Sequence, residues 1–177
     1  MMINSQLPNK QQGLALVVSL IMLLIMTLLA VNSMQTTILE EKMAGNYKDR
    51  NMAFQSAEAG LRAGEDYLRD TAALPFFNGA TAGLYQPTIT GTARWNLIDW
   101  TQAGQVRAYI GSLDSSGGTQ LLAGLPNYII EEMQPIVSEG GSLEVGTALE
   151  NRYYRVTSQA VGGTATAVVM LQTTYKR

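Results

Sequence analysis

The side chains that most often carry out chemistry are missing from this chain, which has no histidine and no cysteine. Without cysteine there are no disulfides, thiolate metal sites or thiol nucleophiles. Without histidine the commonest general base and transition-metal ligand are gone. Carboxylates, lysine or serine would have to carry any reaction, and no motif groups them. The chain is therefore expected not to be an enzyme, with no catalytic residue, no metal and no cofactor. The loop Asp114-Ser115-Ser116-Gly117-Gly118 offers one carboxylate, where calcium takes about six to eight oxygens. A formal net charge of −2 gives no pull toward nucleic acid. Phe76, Phe77, Tyr85, Trp95 and Trp100 are candidates for a ligand-contact surface, but in a small head such aromatics read as core. Chemistry done to the chain is better marked than chemistry done by it. Gly13 stands immediately before an uncharged run that begins at Leu14, and a peptidase cutting there would act at the edge of that run.

The run extends from Leu14 to Val31, and the first charge after it is Glu40. About 20 apolar residues suffice for a helix to span a bilayer. Beyond the run the pattern stays helical but turns amphipathic, through Asp70. Phe54, Ala57, Leu61, Gly64 and Leu68 follow spacings of three and four along one stripe. Opposite charges four apart (Glu58 and Arg62, Arg62 and Asp66, Glu65 and Arg69) mark an exposed face. Ala53, Ala57, Ala59, Gly60, Ala63 and Gly64 are small enough to let a neighbour pack closely. Gly45-Asn46 is the expected weak point, with a kink or local melting there. Ala73-Leu74-Pro75 closes the helix.

The remainder reads as a β-rich head. Residues 76–93 and 138–146 are loops, 94–100 and 105–113 are short strands or a strand and a turn, and 126–137 is a strand. Segments 153–161 and 164–175 flank Gly162-Gly163, a hairpin signal. A two-residue turn would pair Val161 with Thr164. It would set Val156 opposite Val169 and Tyr154 opposite Leu171 on one face, with Arg155 opposite Met170 and Thr157 opposite Val168 on the other. The first face is the one to lie on the helix stripe of Phe54, Ala57, Leu61 and Leu68. The expected fold is α+β, a long N-terminal helix packed on a small antiparallel sheet. Its divisions are a leader over 1–13, a membrane and assembly half of the helix over 14–39, an amphipathic half over 40–70, and the head over 71–177.

Three readings of the N-terminus fit the pattern: a plain signal anchor, a secretory signal cut near Ala30 or Ser33, and a signal cut after Gly13 that leaves the helix on the mature protein. The length of the apolar run and the single preceding base, Lys10, count against the second. Lys10 before the span and Glu40 and Glu41 after it agree with the leader facing the cytoplasm.

Three ordered strings decide more. They are Gly13-Leu14-Ala15-Leu16-Val17-Val18-Ser19-Leu20, then Met34 through Met43-Ala44-Gly45-Asn46, then Asp49 through Ala53-Phe54-Gln55-Ser56-Ala57-Glu58-Ala59-Gly60 to Glu65. Over roughly residues 10–66 the chain closely resembles the N-terminal region of PilX-type minor pilins of type IV pili. The ending, Tyr154-Arg155-Val156-Thr157-Ser158 through Leu171-Gln172-Thr173-Thr174-Tyr175, is similar to the family's C-terminus. The resemblance implies a pilin-like fold, a prepilin peptidase cut between Gly13 and Leu14, and N-methylation of Leu14. It also implies a Gram-negative inner-membrane protein with a single pass and a periplasmic head, which reaches the pilus tip after assembly. Its partners would be other minor pilins, the major pilin and the prepilin peptidase, and its role the priming of assembly. Most pilins carry glutamate at the fifth mature position, where this chain has Val18. That carboxylate is thought to neutralise the N-terminal ammonium of the subunit ahead. A subunit with Val18 has no carboxylate to offer and fits best where nothing precedes it, which makes Val18 the candidate tip-placement determinant. A pseudopilin of a type II secretion system, and a membrane-anchored periplasmic binding domain outside any filament, remain the alternatives.

Overall fold

The computed structural model describes residues 12–88, 91–113, 121–134 and 152–177. Expectations placed on residues 1–11, 114–118, 135–137 and 138–146 lie outside the described residues. One helix, α1, runs Gln12–Asp70. Five strands follow among the described residues: β1 (Leu84–Tyr85), β2 (Arg107–Ala108), β3 (Asn127–Glu132), β4 (Tyr153–Val161) and β5 (Val168–Lys176). A single 3-10 turn at Arg94–Asn96 stands where a short strand was one of the expected readings.

The chain divides into two compact units between Gly45 and Asn46. The backbone is helical through Gly45-Asn46, so the local melting expected there is not seen. In the first unit, α1 is exposed along its length. The two hydroxyls within the apolar run Leu14 to Val31 bond to their own helix. Ser19 Oγ donates to the Leu16 carbonyl at 2.9 Å and Thr27 Oγ1 to the Leu24 carbonyl at 2.8 Å. A hydroxyl satisfied in this way loses little when water is withdrawn, so neither residue interrupts a run fit for lipid.

In the second unit the amphipathic half of α1 lies on the sheet. Leu68, Phe77, Leu84, Tyr128, Ile130, Tyr154 and Val156 form the buried core, with Leu61, Ala63, Tyr67, Leu74 and Tyr175 packed around it. The approach is close because the helix presents small residues. A Cβ added at Gly64 would stand 2.5 Å from Val156 Cγ1, and one at Gly60 would strike Ser158 Oγ. The helix ends at Asp70, and Arg177 Nη2 donates to the Thr71 carbonyl at 2.8 Å, covering an oxygen just past the helix end.

The sheet order is β1-β3-β4-β5, with β2 also on β3. It is mixed rather than antiparallel throughout, since β1 runs parallel to β3. The crossover between them holds β2, which pairs antiparallel with the other half of β3. The β4–β5 register also differs from expectation. Val161 pairs with Val168, Val156 with Thr173 and Tyr154 with Tyr175, while Val169 and Leu171 stand opposite Ala160 and Ser158. Gly162-Gly163 is not a two-residue turn. Gly162 N–H bonds the Ala167 carbonyl at 3.0 Å, which closes a six-residue loop over 162–167. The slip is an even number of residues, so the side chains of β5 keep their expected faces.

Glycines on α1 give a test of the packing with opposite signs. Ala is the better helix former by about 1 kcal/mol, and nothing lies within 4 Å of a Cβ at Gly45. Gly45→Ala should therefore raise the helix stability of the full chain in detergent. Gly64→Ala should lower the melting temperature, because its Cβ meets Val156. A rise in both, followed by circular dichroism, would mean that the helix and β4 do not approach as described.

Candidate functional site

The residues expected to place the chain in a membrane and a filament lie on the exposed half of α1. Gly13 has no heavy atom within 4 Å of a Cβ position, Leu14 is 70% exposed and Val18 is 49% exposed. Among the described residues one helix is long and apolar enough to cross a bilayer, and none of its apolar window is buried within the chain. An apolar surface of this extent is not left in water; lipid or neighbouring helices must cover it.

The residues expected to join helix to head fall in three groups. Ala57, Leu68, Tyr154 and Val156 are buried. Leu61, Val169 and Leu171 are half-buried. Phe54 is 46% exposed and outside the core, which corrects its assignment to the packed stripe. The buried stripe is instead Ala53, Ala57, Gly60 and Gly64, with Gly60 against Ser158 and Gly64 against Val156 of β4. Their small size was visible in the sequence, but their dominance over the larger Phe54 was not. Of the aromatic residues, Phe77 is buried and packs tilted against Tyr154 with ring centres 5.4 Å apart. Phe76, read as core, is 87% exposed.

Two charged contacts had no clear sequence signal. The first fixes the β4–β5 loop to the helix. Asp49 accepts the Thr164 backbone N–H at 3.1 Å and also the Thr164 hydroxyl. These bonds hold the Asp49 carboxyl below its usual range. Gly162 packs so tightly that a Cβ there would strike Asp49. This latch draws residues 163 and 164 into the loop and sets the observed register.

The second contact lies on the face of the sheet away from the helix. Glu131 is 1% exposed, pairs across the strands with Tyr85 and Arg155, and its Oε2 has no hydrogen-bond partner among the described residues. Arg155 Nη1 stands 3.9 Å from that oxygen. Arg94 contributes a second positive charge and stacks over Tyr85 at 5.2 Å. Burial outweighs both arginines and pushes the Glu131 carboxyl up. The segment after β1 covers this face. Tyr85 OH donates to the Gln105 carbonyl at 2.8 Å and Asn127 Nδ2 to the Trp100 carbonyl at 3.0 Å. Among the described residues no group of three or more acidic side chains is placed to hold a metal ion.

Comparison with known families agrees with this arrangement. A family model described as PilX N-terminal matches residues 12–62. A second, described as type IV pilus assembly protein PilX C-term, matches residues 43–177. No curated protein and no solved structure matches the chain.

The two carboxylates should respond to pH in opposite directions. Asp49, lowered in the folded state, stabilises fully above its unfolded pKa, and that contribution is lost as pH falls through the folded value. Glu131, raised in the folded state, binds its proton more tightly when folded, so it favours folding as pH falls from its raised value toward the ordinary one. Thermal melts across the acid range should show that Asp49→Asn reduces the acid-induced loss. Glu131→Gln should remove the gain that wild type shows as pH falls toward the ordinary carboxyl range. Parallel pH profiles for wild type and both variants would contradict the two contacts.

Proposed function

The chain belongs to the PilX family of type IV pilus minor pilins, and from that premise we propose that it primes pilus assembly within a tip complex of minor pilins. In this reading α1 first anchors the protein in the inner membrane, with the head in the periplasm. Prepilin peptidase then cuts between Gly13 and Leu14, and Leu14 is N-methylated. The mature helix leaves the bilayer for the filament, where other minor pilins and the major pilin cover its apolar surface. Residues 14–39 form the membrane and assembly segment, 40–70 the segment that carries the head, and 71–177 the head itself. What supports membrane-to-filament transfer is a helix apolar and exposed from Leu14 to Val31, with its hydroxyls bonded to its own backbone.

Val18 carries the tip placement. An ammonium held in an apolar surrounding is costly unless a carboxylate meets it. With valine at the fifth mature position the chain offers nothing to the ammonium of a subunit ahead, while its own Leu14 ammonium remains available to a subunit behind. The arrangement suits the first subunit in and disfavours the shaft. Involvement with type IV pilus components also favours this reading over a secretion-system pseudopilin or a lone anchored domain.

Mass spectrometry of the protein from a strain with active prepilin peptidase should show a chain beginning at methylated Leu14. An intact Met1, or a terminus near Met34, would contradict the processing. A label on the head should appear at pilus ends, and Val18→Glu should shift part of it into the shaft. An even distribution of the wild-type label along the shaft would contradict tip placement.

A further inference from the structure

The two sides of the sheet are finished differently. Beyond β3 the sheet is closed by β1 and β2, strands of two residues each. Beyond β4 lies β5, nine residues long, and no strand among the described residues follows it. Arg152 and Arg177 exchange both backbone hydrogen bonds, at 3.3 and 2.9 Å, which fixes the alternation along the pair. Residues 169, 171, 173 and 175 therefore direct their N–H and C=O groups at β4. Met170, Gln172, Thr174 and Lys176 direct theirs away, and among the described residues these four N–H groups bond to no backbone carbonyl. Natural edges of this length are usually blunted by proline, bulges or charge. Residues 168–175 have no proline and no charge, and Lys176 is the single basic residue at the end of the strand.

The side chains along this edge are also incompletely covered. On the helix side of β5, Val169, Leu171 and Thr173 are half-buried. Ala59, Ala63 and Tyr67 line a groove of about 740 Å³ with Tyr109 and Tyr128, which places that flank of α1 toward β2 and β3. By helical periodicity Phe54 and Leu61 lie on the opposite flank, toward β5. The exposed half of Phe54, which the core does not use, therefore lies on the β5 flank of the helix.

We propose that β5 is a strand-addition site that takes an extended segment of another type IV pilus component, an inference that rests on the pilin reading above. The outward backbone groups of Met170, Gln172, Thr174 and Lys176 pair with the incoming backbone. Alternate side chains of the segment, uncharged and apolar, fall beside Val169, Leu171, Phe54 and Leu61. Those between them fall beside Gln172 and Thr174 and are polar. The partner is thus a polypeptide with an alternating apolar and polar stretch long enough to run from Met170 to Lys176.

The test is photo-crosslinking of the full chain in piliated cells. A photoreactive residue replacing Thr174 should give an adduct with another pilus component at least tenfold stronger than one replacing exposed Ala103. Met170→Pro removes an outward N–H only, which an edge strand tolerates, and should cut the adduct at least tenfold without changing the melting temperature. If it unfolds the head, Met170→Lys, a charge at the edge, should cut the adduct to the same extent. Adducts confined to this chain or to a second copy of it, or no adduct at all, would overturn the proposal. If deleting the chain abolishes pili and both Met170 variants restore them fully, the strand-addition site is wrong and the pilin reading stands. If deletion leaves pili unchanged, both fail.

Discussion

The structure depends on one close contact, the glycine and alanine face of α1 laid on β4. Ala53 and Ala57 are fully buried, and Gly60 and Gly64 leave no room for a side chain against Ser158 and Val156. Direct backbone-to-sheet packing draws Leu68 into the cluster of Phe77, Leu84, Tyr128, Ile130, Tyr154 and Val156. A helix with larger residues at those positions would stand off the sheet, and the core beneath it would open. Because the contact uses one narrow face, the rest of α1 stays free. That freedom is what the proposed passage from lipid to a filament requires of the apolar half.

Two charged devices fix what packing alone leaves loose. The Asp49 bonds to Thr164 tie the far end of β4 and β5 to the helix. Arg177 does the same at the near end through the Thr71 carbonyl. Between them the hairpin is held at both ends along the helix. On the other face, Glu131 under the 86–105 segment has a different character. It is a buried carboxylate whose Oε2 has no hydrogen-bond partner among the described residues and stands 3.9 Å from Arg155, so its burial carries a cost in stability.

Much of this was legible in the sequence. The 59-residue helix, its end at Asp70, the α+β class and the family follow from periodicity, proline placement and ordered motifs. The faces of β4 and β5 were legible because side chains alternate regardless of where the turn falls. The register was not legible, since Asp49 reaches across from a distant helix to Thr164 and overrides the local signal of Gly162-Gly163. Phe54 was misplaced for a related reason: hydrophobic size suggested core, whereas close approach selected the small residues beside it. The parallel pairing of β1 with β3 involves two residues, too few to leave a pattern. Glu131 in an apolar run gave no sign of its partners, which lie on other strands and segments.

In the proposed role this subunit starts a type IV pilus and stays out of its shaft. That role is tested most directly by counting surface pili in a strain that lacks the chain, in a background where retraction is blocked. Most pili should be lost, and those that remain should be normal in length and in their content of major pilin. An undiminished count, or pili that are shortened in proportion to the missing subunit, would contradict it.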